Sequence, residues 1–315
     1  MSKSNIDIKS RLGKAIYEWL YKHKYNSVKH GTFTRLLTSY RLLIKYPLAE
    51  YRLLDLTSDD IQKFVNTLTS DGYSKSTIKK AYELVSAFLR YAIGDGVPIN
   101  PLWVNVNLPT EQAVFKHRKQ VESYDNEEQA RIRAVCEEVD NQASHAVILL
   151  LETGIRIGEL LALDWSDVQW QRRAIRIHRT MLDMTSRKQA HIQDVPKSNA
   201  SVRTVPLSTR ALTLLKTLRD ATEAPYGLVF SAGSPDTTVA YNPLMDAVRP
   251  LLEQAGVPWY GFHAFRHTFA TNCYYKGCDV KRLSKLLGHA NVTITYNTYI
   301  HLYGDCLEEL RSIVE

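Results

Sequence analysis

Five short patterns follow one another in the second half of the chain: TGIRIGEL at 153–160, PKSNASVRTVPL at 196–207, HAFRH at 263–267, LLGH at 286–289 and TYNTYIH at 295–301. Between them they hold three arginines, a lysine, four histidines and two tyrosines, of which two arginines, the lysine, two histidines and a tyrosine stand in arrangements that could do chemistry. A guanidinium offers a planar, permanently charged fork that matches phosphate oxygens. An imidazole donates or accepts a proton near neutral pH, an ammonium can deliver one, and a phenol can act as a nucleophile. Converging side chains of these types could grip a phosphodiester and attack it. Each pattern is weak by itself; the ordered set fits one reaction and few others.

Arg156 follows Thr153-Gly154 and precedes Glu159 and the apolar run ELLAL, so it stands at a turn leading into a helix and is held rigidly there. Glu159 could orient Arg156, or simply occupy a first helical turn, where acids are favoured. His263 and Arg266 are three residues apart and share one face of a helix, within reach of a single phosphate. His267 points elsewhere on that helix, toward packing. His289 follows Gly288, a glycine stop after KRLSKLL, and precedes NVTITYNTY, which carries Tyr296 and Tyr299. With 18 tyrosines in the chain, a tyrosine alone means nothing; one ten residues beyond a candidate phosphate ligand means more. Lys197 ends a polar loop just before the strand VRTVPL and could swing onto a substrate as a general acid; Lys188 and Arg203 lie close by and compete for that part.

These groups need a scaffold. Residues 13–95 read as helical throughout: a helix over about 32–45 ends before Pro47, Thr57 with Asp60 starts another through Leu68, and Ile78, Ala81, Tyr82, Val85, Phe88, Leu89 and Ala92 recur at helical spacing. A bundle of about four helices results, with residues 1–12 polar and loose in front of it. Pro98, Pro101 and Pro109 and the polar run EQAVFKHRKQVES mark residues 97–123 as a connecting segment. The divisions drawn are 1–12, 13–107, a linker at 108–123, and 124–315. In the last of these, helices near 125, 142–152, 209–219, 242–254, 263–275, 279–287 and from 291 surround a small sheet built from Val168–Arg179 and Val202–Leu207, with a polar loop at 183–201.

The formal net charge is +7, and residues 1–110 carry all of it, with 16 Lys and Arg against 9 Asp and Glu. A basic helical module joined to a neutral domain fits a polyanion clamp attached to a working domain. Lys22, Lys24, Lys29, Arg35, Arg41, Lys75, Lys79 and Lys80 lie on its polar faces, and Arg35, Arg41, Lys75, Lys79 and Lys80 are candidate DNA phosphate contacts. The four cysteines, Cys136, Cys273, Cys278 and Cys306, form no disulfide framework and match no zinc spacing, so they read as reduced structural thiols in a cytoplasmic protein. No stretch is long enough to cross a bilayer.

From about residue 13 to 303 the chain resembles the tyrosine site-specific recombinases of the phage-integrase family, those of phages and conjugative transposons in particular. The resemblance rests on the five motifs quoted above. It implies a mainly α protein of two domains: an N-terminal helical-bundle core-binding domain, and a catalytic domain of mostly helical mixed α/β structure with a small antiparallel sheet. It implies that Arg156 and Arg266 clamp the phosphate, that His263 and His289 are the two site histidines, that Lys197 is the hairpin lysine, and that Tyr299 is the nucleophile. Tyr299 is preferred over Tyr296 because His301 follows it by two residues. The expected reaction breaks and rejoins duplex DNA at attachment or core sites through a covalent 3′-phosphotyrosine, with no cofactor and no metal, integrating or excising a mobile element. The expected assembly is a homotetramer on two sites, its two-domain protomers closing as a C-shaped clamp, with accessory DNA-bending or directionality proteins and no membrane. Larger members carry an arm-site-binding domain; with about 12 residues before the core-binding pattern, the expectation is that it is absent or removed here. A type IB topoisomerase uses the same residue types, and a non-catalytic DNA-binding protein on the same fold is a further alternative.

Overall fold

The structure is a computed structural model that describes residues 6–110, 122–181, 192–193, 202–222 and 226–299. The chain separates into two compact units, Met1–Arg118 and Lys119–Glu315. The described part is mostly helical, with a small antiparallel sheet in the second unit.

The first unit holds four α-helices: α1 (Leu12–Trp19), α2 (His30–Leu43), α3 (Ser58–Ser70) and α4 (Lys75–Gly94). One turn of π-helix, Leu20–Lys24, extends α1. Local chemistry sets the boundaries. Thr57 and Asp60 close a reciprocal capping box on α3, and the Ser74 hydroxyl accepts from the N–H of Thr77 at the start of α4. The apolar stripe of α4, from Ile78 through Val85 and Phe88 to Ala92, is buried, and Phe88 meets Trp19 edge-on at 5.8 Å between ring centroids.

Two expectations need correcting here. Residues 6–12 are not loose: Ser10 and Ile8 accept backbone hydrogen bonds from Leu53 and Leu54, Leu12 donates to Tyr51, and Ile6 and Ile8 pack on the core. Residues 1–5 lie outside the described residues. The proline-containing stretch after α4 is not all connector either. Val97 and Leu102 are buried in the same core, and Ile99, Trp103, Val106 and Leu108 pack against it. Apolar side chains spaced between prolines have no helical period, so their burial is invisible until the core that receives them is known.

In the second unit α6 (Gln142–Thr153) is the central helix, packed against α5 (Asn126–Glu138), α8 (Thr209–Asp220), α9 (Tyr241–Gln254) and α10 (Phe262–Tyr275). It is apolar on every side, with Ala146, Val147, Leu149, Leu150 and Leu151 all buried, as a helix enclosed by others must be. The short α7 (Ile157–Leu161) follows it, and α11 (Val280–Leu287) and α12 (Val292–Tyr299) end the described chain. Within 168–179 the strands β1 (Val168–Gln169) and β2 (Ala174–Ile177) form a hairpin, and β5 (Arg203–Pro206) pairs antiparallel with β2, Val205 opposite Ile175. Within the stretch 183–201, read as loop, the described residues form a strand, β4 (Ile192–Gln193), which runs antiparallel to β3 (Thr180–Met181) just before it. Among the described residues no helix is long and apolar enough to cross a membrane.

Candidate active site

Arg156 owes its place to a glycine. Gly154 ends α6 at φ 62°, in the left-handed region, and its N–H donates to the carbonyl of Leu150. A Cβ at this position would stand 2.2 Å from the ring of Phe269 on α10, so the turn requires glycine for space as well as for φ. Ile155 is buried, and Arg156 then starts α7. Glu159, one turn on, reaches back with one carboxylate oxygen to the backbone N–H of Arg156 (2.8 Å) and with the other to its guanidinium (2.8 Å). Gly158 lets α7 lie on β3, where an added Cβ would come within 2.8 Å of the Thr180 hydroxyl.

The remaining groups converge on the end of α11. That helix begins at an Asp279 cap and stops at Gly288, φ 66°. Three consecutive carbonyls of its last turn each receive a different arginine. Leu286 accepts from Arg203 Nε at 2.7 Å, Leu287 from Arg266 at 2.5 Å, and Gly288 from Arg156 at 3.3 Å. The carbonyl end of a helix is negative and its last acceptors lack partners within the helix, so cations are stabilised there. The second head nitrogen of Arg266 donates to the carbonyl of Gly154 at 2.9 Å. Arg266 is buried at 3% exposure, whereas the Arg156 side chain is 33% exposed, so Arg156 is the arginine that presents its edge to solvent.

His289 directly follows this arginine-capped turn. Its Nδ1 lies 2.7 Å from the hydroxyl of Thr295, a fully buried residue of α12. Burial, together with the positive charge of Arg266, Arg156 and Arg203, holds the His289 pKa at about 4, below the ordinary 6.5. His263 lies one turn before Arg266 with an exposed side chain. Removal of water by the surrounding protein, and then the charges of Arg266 and Arg156, lower its pKa as well, against a weaker opposing pull from Glu159. His267, with its ring centroid 6.2 Å from that of His263, is lowered to about 4 by burial and by His263 and Arg266. All three imidazoles are therefore neutral at pH 7. Glu159 is the counter-charge. Burial alone would raise its pKa, but the hydrogen bonds and charge of Arg203, with those of Arg156, bring it down to about 2.

Five sequence-selected residues, Arg156, Glu159, His263, Arg266 and His289, are thus brought together. Lys197 and its competitor Lys188 lie outside the described residues. Tyr299 is the last residue of α12, and its side chain is outside them too; Tyr296 on the same helix is exposed. Arg203 is corrected. Its guanidinium is 6% exposed and forks onto Glu159 at 3.0 and 2.7 Å, so it cannot swing out as a proton donor. Its position at the head of the strand VRTVPL was legible, but its partner 44 residues upstream was not.

In the first unit Arg35, Arg41 and Lys80 line one groove of about 390 Å³ with Lys45, Tyr73 and Thr77, between α2 and the start of α4. The other two basic candidates do not line it: Lys79 pairs with Glu83 at 3.8 Å, and Lys75 is half-buried. Of the cysteines, Cys136 is buried, Cys273 and Cys278 are half-buried free thiols, and Cys306 lies outside the described residues. Among the described residues no three His, Cys, Asp or Glu side chains converge as metal ligands.

Residues 122–305 match the model of the phage integrase family. A tyrosine recombinase XerC-like protein of Caldanaerobacter subterraneus subsp. tengcongensis is 31% identical, over 95% of this chain and 81% of its own. The transposase of transposon Tn916 from Enterococcus faecalis is 24% identical over 81% of this chain and 65% of its own. Among solved structures, the Tn1549 transposon integrase in complex with transposon right end DNA superposes with a TM-score of 0.75 at 20% identity, covering 97% of this chain and 100% of that one. A lambda integrase tetramer bound to a Holliday junction gives 0.65 at 17% identity, over 93% and 78%.

Proposed function

The chain belongs to the phage integrase family and is a tyrosine site-specific recombinase of mobile elements, and from that premise we propose how its own residues carry the reaction. Tyr299 attacks the scissile phosphate. The P–O bond to the 5′ oxygen breaks, leaving a 3′-phosphotyrosine and a free 5′-hydroxyl; attack by a 5′-hydroxyl from the partner strand reverses the step and completes exchange. The ester retains the energy of the broken bond, so the two transesterifications are nearly balanced without a nucleotide cofactor.

Negative charge grows on the non-bridging oxygens in the transition state, and preorganised donors there supply the largest share of rate acceleration. Arg156 meets those oxygens with its exposed edge, and Arg266, buried behind it, adds charge and fixes the turn. His289, with Nδ1 held by Thr295, turns Nε2 to the phosphate as a donor. His263, neutral at pH 7, accepts the phenol proton, and Lys197 protonates the departing 5′ oxygen. The observation that carries this reading is the convergence of Arg156, Arg266 and His289 on the last turn of α11.

Residues 13–107 act as the core-binding domain, 108–123 as linker and 124–315 as the catalytic domain. Arg35, Arg41 and Lys80 in the basic groove contact the DNA backbone, joined by Lys75 and Lys79 from outside the groove, and binding falls steeply with salt. The working assembly is a homotetramer on two attachment sites in the cytoplasm of a bacterial host. A family match across residues 122–305 and a recombinase relative over 95% of the chain favour this over a type IB topoisomerase. The test is a nicked suicide substrate containing candidate attachment-site DNA. A covalent protein–DNA adduct is expected from the wild type, and none under any salt or pH would support a DNA-binding protein without catalysis.

A further inference from the structure

Three arginines, not two, meet the last turn of α11. Arg203 stands at the head of β5, six positions after Lys197 in the sequence. Its Nε holds the carbonyl of Leu286 at 2.7 Å, while its two head nitrogens fork onto both oxygens of Glu159 at 3.0 and 2.7 Å. Both partners of this ion pair are almost fully buried, Arg203 at 6% and Glu159 at 5% side-chain exposure. Glu159 uses the same two oxygens to hold the backbone and the guanidinium of Arg156. One planar group therefore joins β5, the carboxylate that orients Arg156, and the helix end that leads into His289.

We propose that Arg203 is a positioning residue for strand cleavage: by bridging Glu159 to the last turn of α11 it sets where Arg156 and His289 stand against the scissile phosphate. It touches no substrate itself, since its donors are turned inward onto protein acceptors. Lysine cannot replace it. A single ammonium can reach the carboxylate or the Leu286 carbonyl but cannot span both in the plane of a guanidinium. Truncation has two separable consequences. It leaves the buried Glu159 charge short of its main partner, which destabilises the fold, and it releases the end of α11, which displaces the site.

This inference rests on the recombinase reading above, and the experiment separates the two. Single-turnover cleavage of a suicide substrate at saturating protein, DNA affinity and thermal melting are measured for the wild type, Arg203→Lys, Arg203→Met and the double variant Glu159→Gln/Arg203→Met. Arg203→Met is expected to melt several degrees lower and to cleave at least a hundredfold more slowly, with DNA affinity within about threefold of wild type. Arg203→Lys should fall between. The double variant removes the unpaired charge, so its melting temperature should recover most of the loss while its cleavage stays at least tenfold below wild type. Cleavage that recovers together with stability would overturn the proposal, leaving Arg203 a purely structural ion pair, as would wild-type cleavage by Arg203→Met. A wild type that fails to cleave would sink the recombinase reading instead.

Discussion

Arg266 donates to the carbonyl of Gly154, two residues before Arg156, at 2.9 Å. The buried arginine of α10 thus holds the turn on which the exposed arginine stands. The same guanidinium also grips the end of α11 through Leu287, so the position of Arg156 and that of His289 depend on one side chain. Removing Arg266 should disturb more than one phosphate contact, and variants at Arg156 are the cleaner probe of the clamp.

Arg156→Lys keeps the positive charge but loses the fork that reaches both Glu159 and Gly288. We expect DNA affinity within about threefold of wild type and cleavage slower by roughly a hundredfold, the effect of about 2.7 kcal/mol of lost transition-state stabilisation. Gel-shift titration beside single-turnover cleavage separates the two quantities. A proportional loss of binding would make Arg156 a structural residue.

Gly154→Ala combines a positive φ with a collision against Phe269. The expected loss is about 3 kcal/mol or more, from left-handed strain of 1–2 kcal/mol plus overpacking. Gly233→Ala is the control, because φ there is 78° but nothing lies within 4 Å of the added methyl group. It should lose only the strain of about 1–2 kcal/mol. Urea denaturation of both variants measures the difference, and equal losses would mean that the Phe269 contact does not matter.

Glu159 titrates near 2 in the folded protein against an ordinary value of 4.5. Its stabilisation is fully present above pH 4.5 and is lost as pH falls toward 2, because the unfolded chain takes up the proton first. Glu159→Gln should therefore cost roughly 3 kcal/mol at pH 7 and progressively less below pH 4.5. Unfolding midpoints of both proteins measured from pH 2.5 to 7 should converge at the acid end; parallel curves would show that the carboxylate is not held ionised.

His289 is lowered to about 4 by burial and three neighbouring arginines. Its ring signal in a histidine-resolved NMR titration should move well below pH 6.5, and the ring itself should stay neutral from pH 6 to 8. With a depressed pKa, the neutral ring stabilises the fold above pH 6.5, and that stability drains away as pH falls toward 4. Thr295→Val takes away the partner of Nδ1 and should slow cleavage about tenfold, equivalent to about 1.4 kcal/mol, with DNA binding unchanged. A His289 midpoint at or above 6.5 would contradict the arrangement.

Much of the scaffold was readable because its signals are local. Thr57 with Asp60, Asp125 with Glu128, and the glycine stops at 154 and 288 act within one helical turn, so helix limits, and the turns that Arg156 and His289 follow, are set by neighbouring residues. What escaped was set by distant partners. Residues 6–11 are ordered by residues 51–54, β4 by Thr180–Met181, and Arg203 by a carboxylate 44 positions away. No periodicity encodes such pairings. Arg203 read as a competitor of Lys197 for the proton because it lies close to it in sequence, whereas the buried acid that fixes its role arrives on another element.

The nucleophile is tested most directly by identifying the residue bonded to DNA. Wild-type protein is trapped on a suicide substrate, digested with protease and nuclease, and the nucleotide-bearing peptide is sequenced by tandem mass spectrometry. The nucleotide is expected on Tyr299, with the Tyr299→Phe variant giving no adduct and Tyr296→Phe giving a normal one. A nucleotide on Tyr296, or an adduct that survives Tyr299→Phe, would contradict the assignment.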